Sequence, residues 1–427
     1  MINNVPLSYE EVEKILNELL DWLVTSPKHT CLRVNTQKTN VESVCQKLKE
    51  LVQEESGREP VTTVDPSIQE AILIHSWDES VELDLAQYES EVIVDSICGE
   101  FVLKGAPVYA PGIIGIPHGL NEGDKVSVYA DVRGRCLKGS FKYNDDSKVF
   151  LGNGVLKQTR HTLFGPDINV SGIAVKMTDI ISRLPQLNIN DLKGDAIAQH
   201  LPCIICTYVL NPQPGEVILD MCAAPGNKTT HISDYMRGKG TIIALDVNKK
   251  RIKALEDKCK DYSANNVKIY CCDAKKAFGA TDTSIEDGPP FNYNSFDRIL
   301  LDPPCSGLGQ RPQLLNKMTV PVLKSFSTLQ QMLFKSAVRM LKPNGILVYS
   351  TCTITITENE EIVAWALNTF SCLKLIPVRE RFSIEKCGTA GYSIVGLPDI
   401  EASKVYRFGP ESKSIGFFIA CFQKLPE

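Results

Sequence analysis

Ser295-Phe-Asp-Arg-Ile-Leu-Leu-Asp-Pro-Pro-Cys-Ser-Gly307 decides how the rest of this chain reads. Ile299, Leu300 and Leu301 make a short apolar run that meets a carboxylate, two prolines, a thiol and a glycine. Such a run reads as a strand buried on both faces, and the prolines end it in a stiff loop. In an open α/β sheet, ligands bind outside the carboxyl ends of the strands. Asp302 and Cys305 fall at such an end, where a carboxylate and a thiol have little to do with packing. The expected fold class is therefore α/β, a mostly parallel sheet with helices on both faces.

Moving outward, a helix from about Ala196 to Leu210 leads through Asn-Pro-Gln-Pro-Gly into the strand Glu216-Val-Ile-Leu-Asp220. The loop Met221-Cys-Ala-Ala-Pro-Gly-Asn-Lys-Thr-Thr230 follows, and then a helix. Small residues between strand and helix leave backbone N–H groups open to a ligand, and the helix start favours an anion. The next strand, Gly240 to Asp246, ends in a carboxylate 20 residues after Gly226, where an acid binds ribose hydroxyls in dinucleotide folds. A third strand, Val267 to Asp273, ends in another acid, placed to meet an adenine edge. The loop is neither a Walker A sequence nor Gly-x-Gly-x-x-Gly, which disfavours a nucleoside triphosphate or NAD. S-adenosyl-L-methionine, a nucleoside carrying a small carboxylate, fits better.

Downstream, Gly279 to Asn294 reads as a polar surface loop and Leu323 to Leu341 as a helix. Gly345 to Cys352 is the next strand, so Cys352, like Cys305, sits at a strand's carboxyl end. Thr357-Glu-Asn-Glu360 has the pattern of a capping box opening a helix through Trp365 and Leu367. Ser414 to Cys421 is a late strand completing the sheet. Cys203 and Cys206 form a Cys-x-x-Cys, but no second pair stands at ligand distance and the six histidines are scattered. A closed zinc site is not expected, and both thiols are placed in the core.

The first 90 residues read as a small α+β module: a helix from Ser8 to Leu23, a strand from Cys31 to Thr36, and a helix from Val41 to Leu51. Arg33 and Asn35 could touch a phosphate or the neighbouring domain. Between Glu91 and Asp179 the texture becomes short strands and glycines, as in a small barrel or sandwich. Residues 131–160 carry seven Lys or Arg against three Asp, with Tyr109, Phe141 and Tyr143 nearby. That is a local basic patch suited to phosphates and stacked bases. Its Val-Tyr-Ala-Pro-Gly-Ile and Gly-Asp-x-Val-x-Val pieces resemble a PUA domain, an RNA-binding pseudo-barrel. On that resemblance Lys104, Tyr109, Lys138 and Asn153 are the candidates for RNA contact.

Composition narrows the rest. At 427 residues, 43% hydrophobic and 23% charged, the chain is an ordinary globular protein of two or three domains. A net charge of −5 excludes a broadly basic nucleic-acid binder, so any RNA contact is local. No run approaches the roughly 18 apolar residues of a membrane span, and Met1-Ile-Asn-Asn-Val-Pro opens without a signal-peptide pattern. The fifteen cysteines are then expected as free thiols in the cytosol or nucleus. The expected location is the cytoplasm and the expected state a monomer.

Three motifs make the resemblance specific. Cys-Ala-Ala-Pro-Gly-x-Lys-Thr (222–229), Asp-Pro-Pro-Cys-Ser-Gly (302–307) and Ser-Thr-Cys-Thr (350–353) resemble the motifs of the Nop/Sun family of RNA 5-methylcytosine methyltransferases. With the PUA-like segment, the chain looks most like the PUA-bearing subfamily that methylates tRNA. The resemblance covers most of the chain, strongest from 190 to 370 and weak from 380 to 410. It implies an N-terminal module over 1–90, a PUA-like domain over 91–182, and a Rossmann-like catalytic domain over 183–427. It also implies S-adenosyl-L-methionine as cofactor and tRNA, at the acceptor end bearing the 3′ CCA, as partner. The cofactor is expected on Cys222, Ala223, Ala224, Pro225, Gly226, Asn227, Lys228, Asp246, Asp273 and Asp302. Asn227 departs from the family's usual glycine, and asparagine tolerates left-handed geometry better than most residues.

Carbon 5 of cytosine is a poor nucleophile. Addition of a thiolate to carbon 6 makes the ring an enamine, so that carbon 5 can attack the sulfonium methyl. Charge growing at N3 needs a partner, which Asp302 can supply, and Lys228 can polarise the base and steady Asp302. By resemblance Cys352 is the nucleophile and Cys305 assists release of the adduct; spacing alone leaves the two roles open. Two readings compete. An amino-methyltransferase would use a related Pro-Pro loop with a stacking aromatic where this chain has Cys305, and an RNA-binding protein with an inactive methyltransferase fold would rest on the barrel.

Overall fold

The computed structural model describes residues 9–165, 170–279, 284–382, 388–412 and 414–426. The N-terminal module comprises α1 (Tyr9–Val24), β1 (His29–Val34), α2 (Val41–Ser56), β2 (Thr62–Asp65) and β3 (Ile68–His75). Asn40 caps α2 by accepting from Ser43 N, and Val44, Leu48 and Val52 recur at helical spacing as its buried face. That face packs on Leu32, Val34, Ile72 and Ile74 of the small sheet. Ser8, placed at the start of the first helix, lies outside the described residues.

The second region runs through β4 (Glu91–Asp95), α3 (Ser96–Val102), β5 (Val108–Tyr109), β6 (Ile113–Gly115), β7 (Lys125–Asp131), β8 (Val149–Leu156), α4 (Arg160–Leu163) and β9 (Ile173–Ile180). Its strands form one six-stranded sheet in the order β5-β9-β8-β7-β4-β6. The sheet encloses a separate core of Val92, Val94, Val126, Val128, Leu151 and Val175.

The third region contains β10 (Ala196–Ala198), α5 (Leu201–Leu210), β11 (Val217–Asp220), α6 (Asn227–Tyr235), β12 (Thr241–Asp246), α7 (Lys249–Asp261), β13 (Val267–Cys271) and β14 (Phe296–Leu301). It continues with α8 (Val320–Met340), β15 (Leu341–Thr351), α9 (Glu360–Thr369), β16 (Leu373–Ile376), α10 (Val378–Arg381), β17 (Thr389–Ala390), α11 (Asp399–Ala402), β18 (Tyr406–Phe408) and β19 (Phe417–Lys424). The sheet order is β13-β12-β11-β14-β15-β19-β18-β17, parallel from β13 to β15, with β19 antiparallel to β15. Ile299, Leu300 and Leu301 are fully buried, as expected of a strand covered on both faces. The connections change direction between β11 and β14, which opens a crevice at their carboxyl ends.

Several expectations are corrected. Ala196–Ala198 is a strand, and the helix starts only at Leu201, where Pro202 suits a first turn. This strand pairs antiparallel with β1, so the chain returns to its first sheet before entering the large one. Thr357 to Glu360 does not form a capping box: α9 begins at Glu360, and Asn359 makes no cap hydrogen bond. The segment 279–294 is not wholly a surface loop, because Phe291 is buried against Phe296; residues 280–283 lie outside the described residues. Arg33 and Asn35 touch the neighbouring domain. Arg33 donates to Gln199, to the Asn227 carbonyl and to Thr230, while Asn35 donates to the carbonyls of Gly194 and Tyr262.

Candidate active site

The loop after β11 turns on Gly226, whose φ is +103° and whose Cβ, if present, would sit 2.7 Å from Leu255 Cδ1. The left-handed position therefore falls on Gly226 and not on Asn227, which opens α6 with helical geometry. Asn227 Nδ2 donates to the Ala198 carbonyl at 3.3 Å and its Oδ1 accepts from Lys258. The loop is tied down by Ala223 N to Leu245 O, 2.8 Å, and by Ala224 N to Asp246 Oδ2, 3.3 Å.

Two cavities flank this loop. One, of about 210 Å³, is lined by Cys222, Asp246, Asp273, Pro304 and Leu333 among others. Carboxylates at two strand ends with apolar walls between them suit ribose hydroxyls and an adenine face. The other, of about 170 Å³, takes its lining from Cys222, Ala223, Ala224, Pro225, Asn227, Lys228 and Asp302, with His200, Cys203 and Asp220 opposite. All ten residues singled out for the cofactor thus line one of the two cavities or, as Gly226, form the turn between them. Asp220 is buried beneath the loop with Oδ2 accepting from Thr229 at 2.8 Å, and burial pushes its carboxyl up to about 7. The donor set therefore fits S-adenosylmethionine. Among the described residues no cluster of His, Cys, Asp and Glu could hold a metal ion.

The two strand-end cysteines meet near Asp302 and Lys228, with Cys305 Sγ 3.3 Å from Cys352 Sγ. Lys228 Nζ lies 2.6 Å from Asp302 Oδ2, and Ser350 Oγ donates to Asp302 Oδ1 at 2.7 Å. Burial opposes the charge on Lys228, but Asp302 and the Cys203 and Cys206 thiols hold the ammonium well above the ordinary lysine range. The sulfurs are not equivalent. A hydrogen bond from Cys305 lowers the Cys352 thiol against burial, helped by the Gln310 side chain and the Lys228 charge. Cys305 is pushed up, first as that donor and then by burial and Asp302. Of the two sulfurs, Cys352 is the one whose thiolate the surroundings favour.

The chain was then compared with known proteins. The family model for 16S rRNA methyltransferase RsmB/F matches residues 207–423. The tRNA (cytosine(72)-C(5))-methyltransferase NSUN6 of Mus musculus is 41% identical over 405 residues, covering 94% of this chain and 83% of that protein. The chain belongs to the RsmB/F family. A tRNA (cytosine(72)-C(5))-methyltransferase of Pyrococcus horikoshii is 30% identical to this RsmB/F member over 98% of the chain and 94% of its own length. The crystal structure of NSun6 from Pyrococcus horikoshii with SFG superposes with a TM-score of 0.71 at 29% identity, covering 97% of this chain and 95% of that one.

Sequence reasoning missed part of this RsmB/F site. Cys206 is core, but Cys203 lines the second cavity near Lys228, because α5 turns that face toward the loop. His200, just before α5, also lines that cavity; burial and the charges of Lys104, His29 and Lys228 depress its imidazole to about 3 and keep it neutral. Glu358, Asn359 and Glu360, read as a helix start, are buried behind the cysteines, and Glu360 pairs with the buried Arg407. No signal in the letters could have found them, since Glu-Asn-Glu reads the same in a solvated helix start as in a buried one.

The RNA candidates scatter. Lys138 stands exposed in the 133–143 loop beside Leu137 and Phe141, which are 79% and 61% exposed. Lys104 lies over the Phe101 ring and close enough to depress His200, at the edge of the crevice. Tyr109 is half-buried, its hydroxyl donating to Asn188 Oδ1 at 3.0 Å. Asn153 is corrected: it is 1% exposed, its amide donates to the carbonyls of Asp84 and Ala86, and its oxygen accepts from Ser127. A buried asparagine bracing the linker cannot present its amide to RNA.

Proposed function

We propose that this chain methylates carbon 5 of a cytosine near the 3′ acceptor end of tRNA, using S-adenosyl-L-methionine and a cysteine–carbon-6 adduct. The observation that carries the reading is the pair of thiols on two strand ends, 3.3 Å apart, beside a Lys228–Asp302 ion pair on the cofactor crevice. The names of the mouse and archaeal relatives support the tRNA target. Bound S-adenosylmethionine supplies an electrophilic sulfonium methyl; the other steps belong to side chains of this chain. The Cys352 thiolate forms the S–C6 bond, while Asp302 delivers a proton to N3, where negative charge grows. Lys228 and Ser350 hold the carboxylate left behind, and the proton returns to Asp302 on release. Carbon 5 takes the methyl and then gives up its proton to a base, the C5=C6 bond reforms, and the S–C6 bond breaks. Cys305, kept as a thiol, donates a hydrogen bond to the departing Cys352 sulfur and so assists release.

The division into 1–90, 91–182 and 183–427 belongs to this proposal, with the second part a PUA-like barrel that holds the RNA end. A cavity of about 430 Å³ on that barrel, lined by His118, Phe141, Lys142 and Tyr143 among others, supports it. Of the Lys and Arg in 131–160, Arg133, Arg135, Lys138, Lys142 and Lys157 are exposed, whereas Lys148 pairs with Glu91 and Arg160 is turned onto the backbone at Ile116 and Ser140. We place the protein in the cytoplasm as a monomer, supported by free thiols at every described cysteine. No helix among the described residues is long and apolar enough to cross a membrane. Labelled-methyl transfer to unmodified tRNA, followed by digestion to nucleosides, should give 5-methylcytidine. A label on N4 or on a ribose would overturn the reading.

A further inference from the structure

Behind the cysteines lies a buried polar bracket that lines neither cavity. Glu358 Oε2 accepts from Ser306 N at 3.0 Å and from Gln330 Nε2 at 2.9 Å, and Oε1 accepts from Thr355 Oγ1 at 2.9 Å. Gln330 Nε2 also reaches the Pro304 carbonyl at 3.2 Å. The residues on both sides of Cys305 are thus held by the Glu358–Gln330 unit. The next residue does the same for the other thiol. Asn359 Oδ1 accepts from Thr351 Oγ1 at 2.6 Å and its Nδ2 donates to the Thr353 carbonyl at 3.0 Å, gripping both flanks of Cys352. Ser306 Oγ and Thr353 Oγ1, 2.8 Å apart, join the two loops directly.

The approach is tight from the other side as well. Gly309 N donates to the Cys352 carbonyl at 3.0 Å, and a Cβ on Gly309 would come within 2.3 Å of Gly416 O. Glu358, Asn359 and Gln330 have no exposed surface. The hydrogen-bond partners of the Glu358 carboxylate are three neutral donors, and Gln330 Oε1 has no partner, so this glutamine is kept for its donor end alone. Such groups are costly to bury for packing alone. Their common feature is which residues they hold.

We propose that Glu358 and Asn359 are the positioning residues that set the Cys305–Cys352 approach, Glu358 governing the release thiol and Asn359 the nucleophile. This rests on the roles assigned above to the two cysteines. Loosening one flank is then expected to affect one step. With Glu358→Ala, Cys352 stays in place and adds to the base, but Cys305 no longer meets the departing sulfur. With Asn359→Ala the addition itself fails.

The test uses the full chain, a tRNA transcript and S-adenosylmethionine, with steady-state kinetics, adduct on a denaturing gel, cofactor binding by calorimetry and thermal melting. Glu358→Ala is expected to lower kcat about 10²-fold and accumulate adduct as Cys305→Ala does, with little change in KM or cofactor affinity. Asn359→Ala should lower kcat without accumulating adduct. Glu358→Gln keeps an acceptor for Ser306 N and should recover most of the turnover. Wild-type kinetics in folded Glu358→Ala, or the same loss of adduct in both alanine variants, would overturn the proposal. If Glu358→Ala does not fold, Gln330→Met removes the Pro304 arm together with Gln330's hydrogen bond to Glu358, leaves Glu358 on Ser306 N, and should still raise the adduct; an unchanged level would be decisive against the bracket. If Cys305→Ala itself traps no adduct, the cysteine assignment has failed, and the bracket's division of steps falls with it.

Discussion

In the crevice, Lys228 is largely covered on the first turn of α6 with its ammonium against Asp302; in the six-stranded region, Lys138 stands in solvent beside an exposed phenylalanine. Asparagines divide the other way. Asn153 of the six-stranded sheet, expected at an RNA surface, is a buried brace between segments, whereas Asn359 behind the crevice, expected in a helix cap, holds both flanks of Cys352. In a parallel sheet a residue at a strand's carboxyl end has few places to go, so sequence position predicts location. In β7, β8 and β9, which pair antiparallel, successive side chains alternate between the two faces, and a polar side chain there can turn inward or outward with the same letters.

If that contrast holds, variants in the crevice should lose chemistry and variants on the barrel should lose binding. The largest effect is expected at Cys352→Ala: no adduct, and turnover below about one thousandth of wild type. Adduct formed by this variant but not by wild type would exchange the roles of the thiols. Lys228→Met comes next, with kcat down about 10²-fold. Because the Lys228 charge favours the Cys352 thiolate, its loss should also move the rising limb of the pH–rate profile to higher pH. The sign follows from the thiol: its pKa lies below the ordinary cysteine value, activity needs the thiolate, and so activity fades as pH falls through that lowered value. A profile that stays put in Lys228→Met would remove the lysine from the thiol's environment.

Lys138→Glu should leave kcat alone, weaken tRNA binding several-fold and flatten its salt dependence by about one phosphate contact. Unchanged affinity in filter binding would take this loop out of the RNA surface. The smallest change in RNA recognition is expected at Asn153→Ala, which takes away the partner of the buried Ser127 hydroxyl and of the Asp84 and Ala86 carbonyls. It should destabilise the protein by about 1–3 kcal/mol while bound tRNA stays at wild-type affinity. A large loss of affinity with normal melting would return Asn153 to the interface.

The same contrast marks what could be read in advance. Strand-end acids, the small-residue loop and both cysteines were legible, because apolar runs with abrupt polar ends leave a plain pattern and ligands gather at those ends. Asn227 was flagged as the departure in the loop, yet the strain fell on Gly226, since only a backbone trace tells which residue of a turn carries positive φ. Ala196–Ala198 was read into a helix because a three-residue strand has no periodicity, and its partner β1 is 160 or more residues away. Cys203 shares a helix with Cys206, and only the packing of α5 decides which of them faces the crevice.

The fastening of Arg33 carries a last consequence. Its guanidinium reaches from the first sheet to Gln199, to the carbonyl of Asn227 and to Thr230, one residue before and two residues after Lys228. The first sheet also touches the barrel, where Thr30 donates to the Lys104 carbonyl and Arg58 faces Asp179. The N-terminal module is therefore a strut between the six-stranded sheet and the helix that carries Lys228. A fragment cut at 183 would keep Lys228, Asp302, Cys305 and Cys352 and still be a different machine. Its β10 would have no sheet to join, and a load applied to the barrel would no longer arrive at α6.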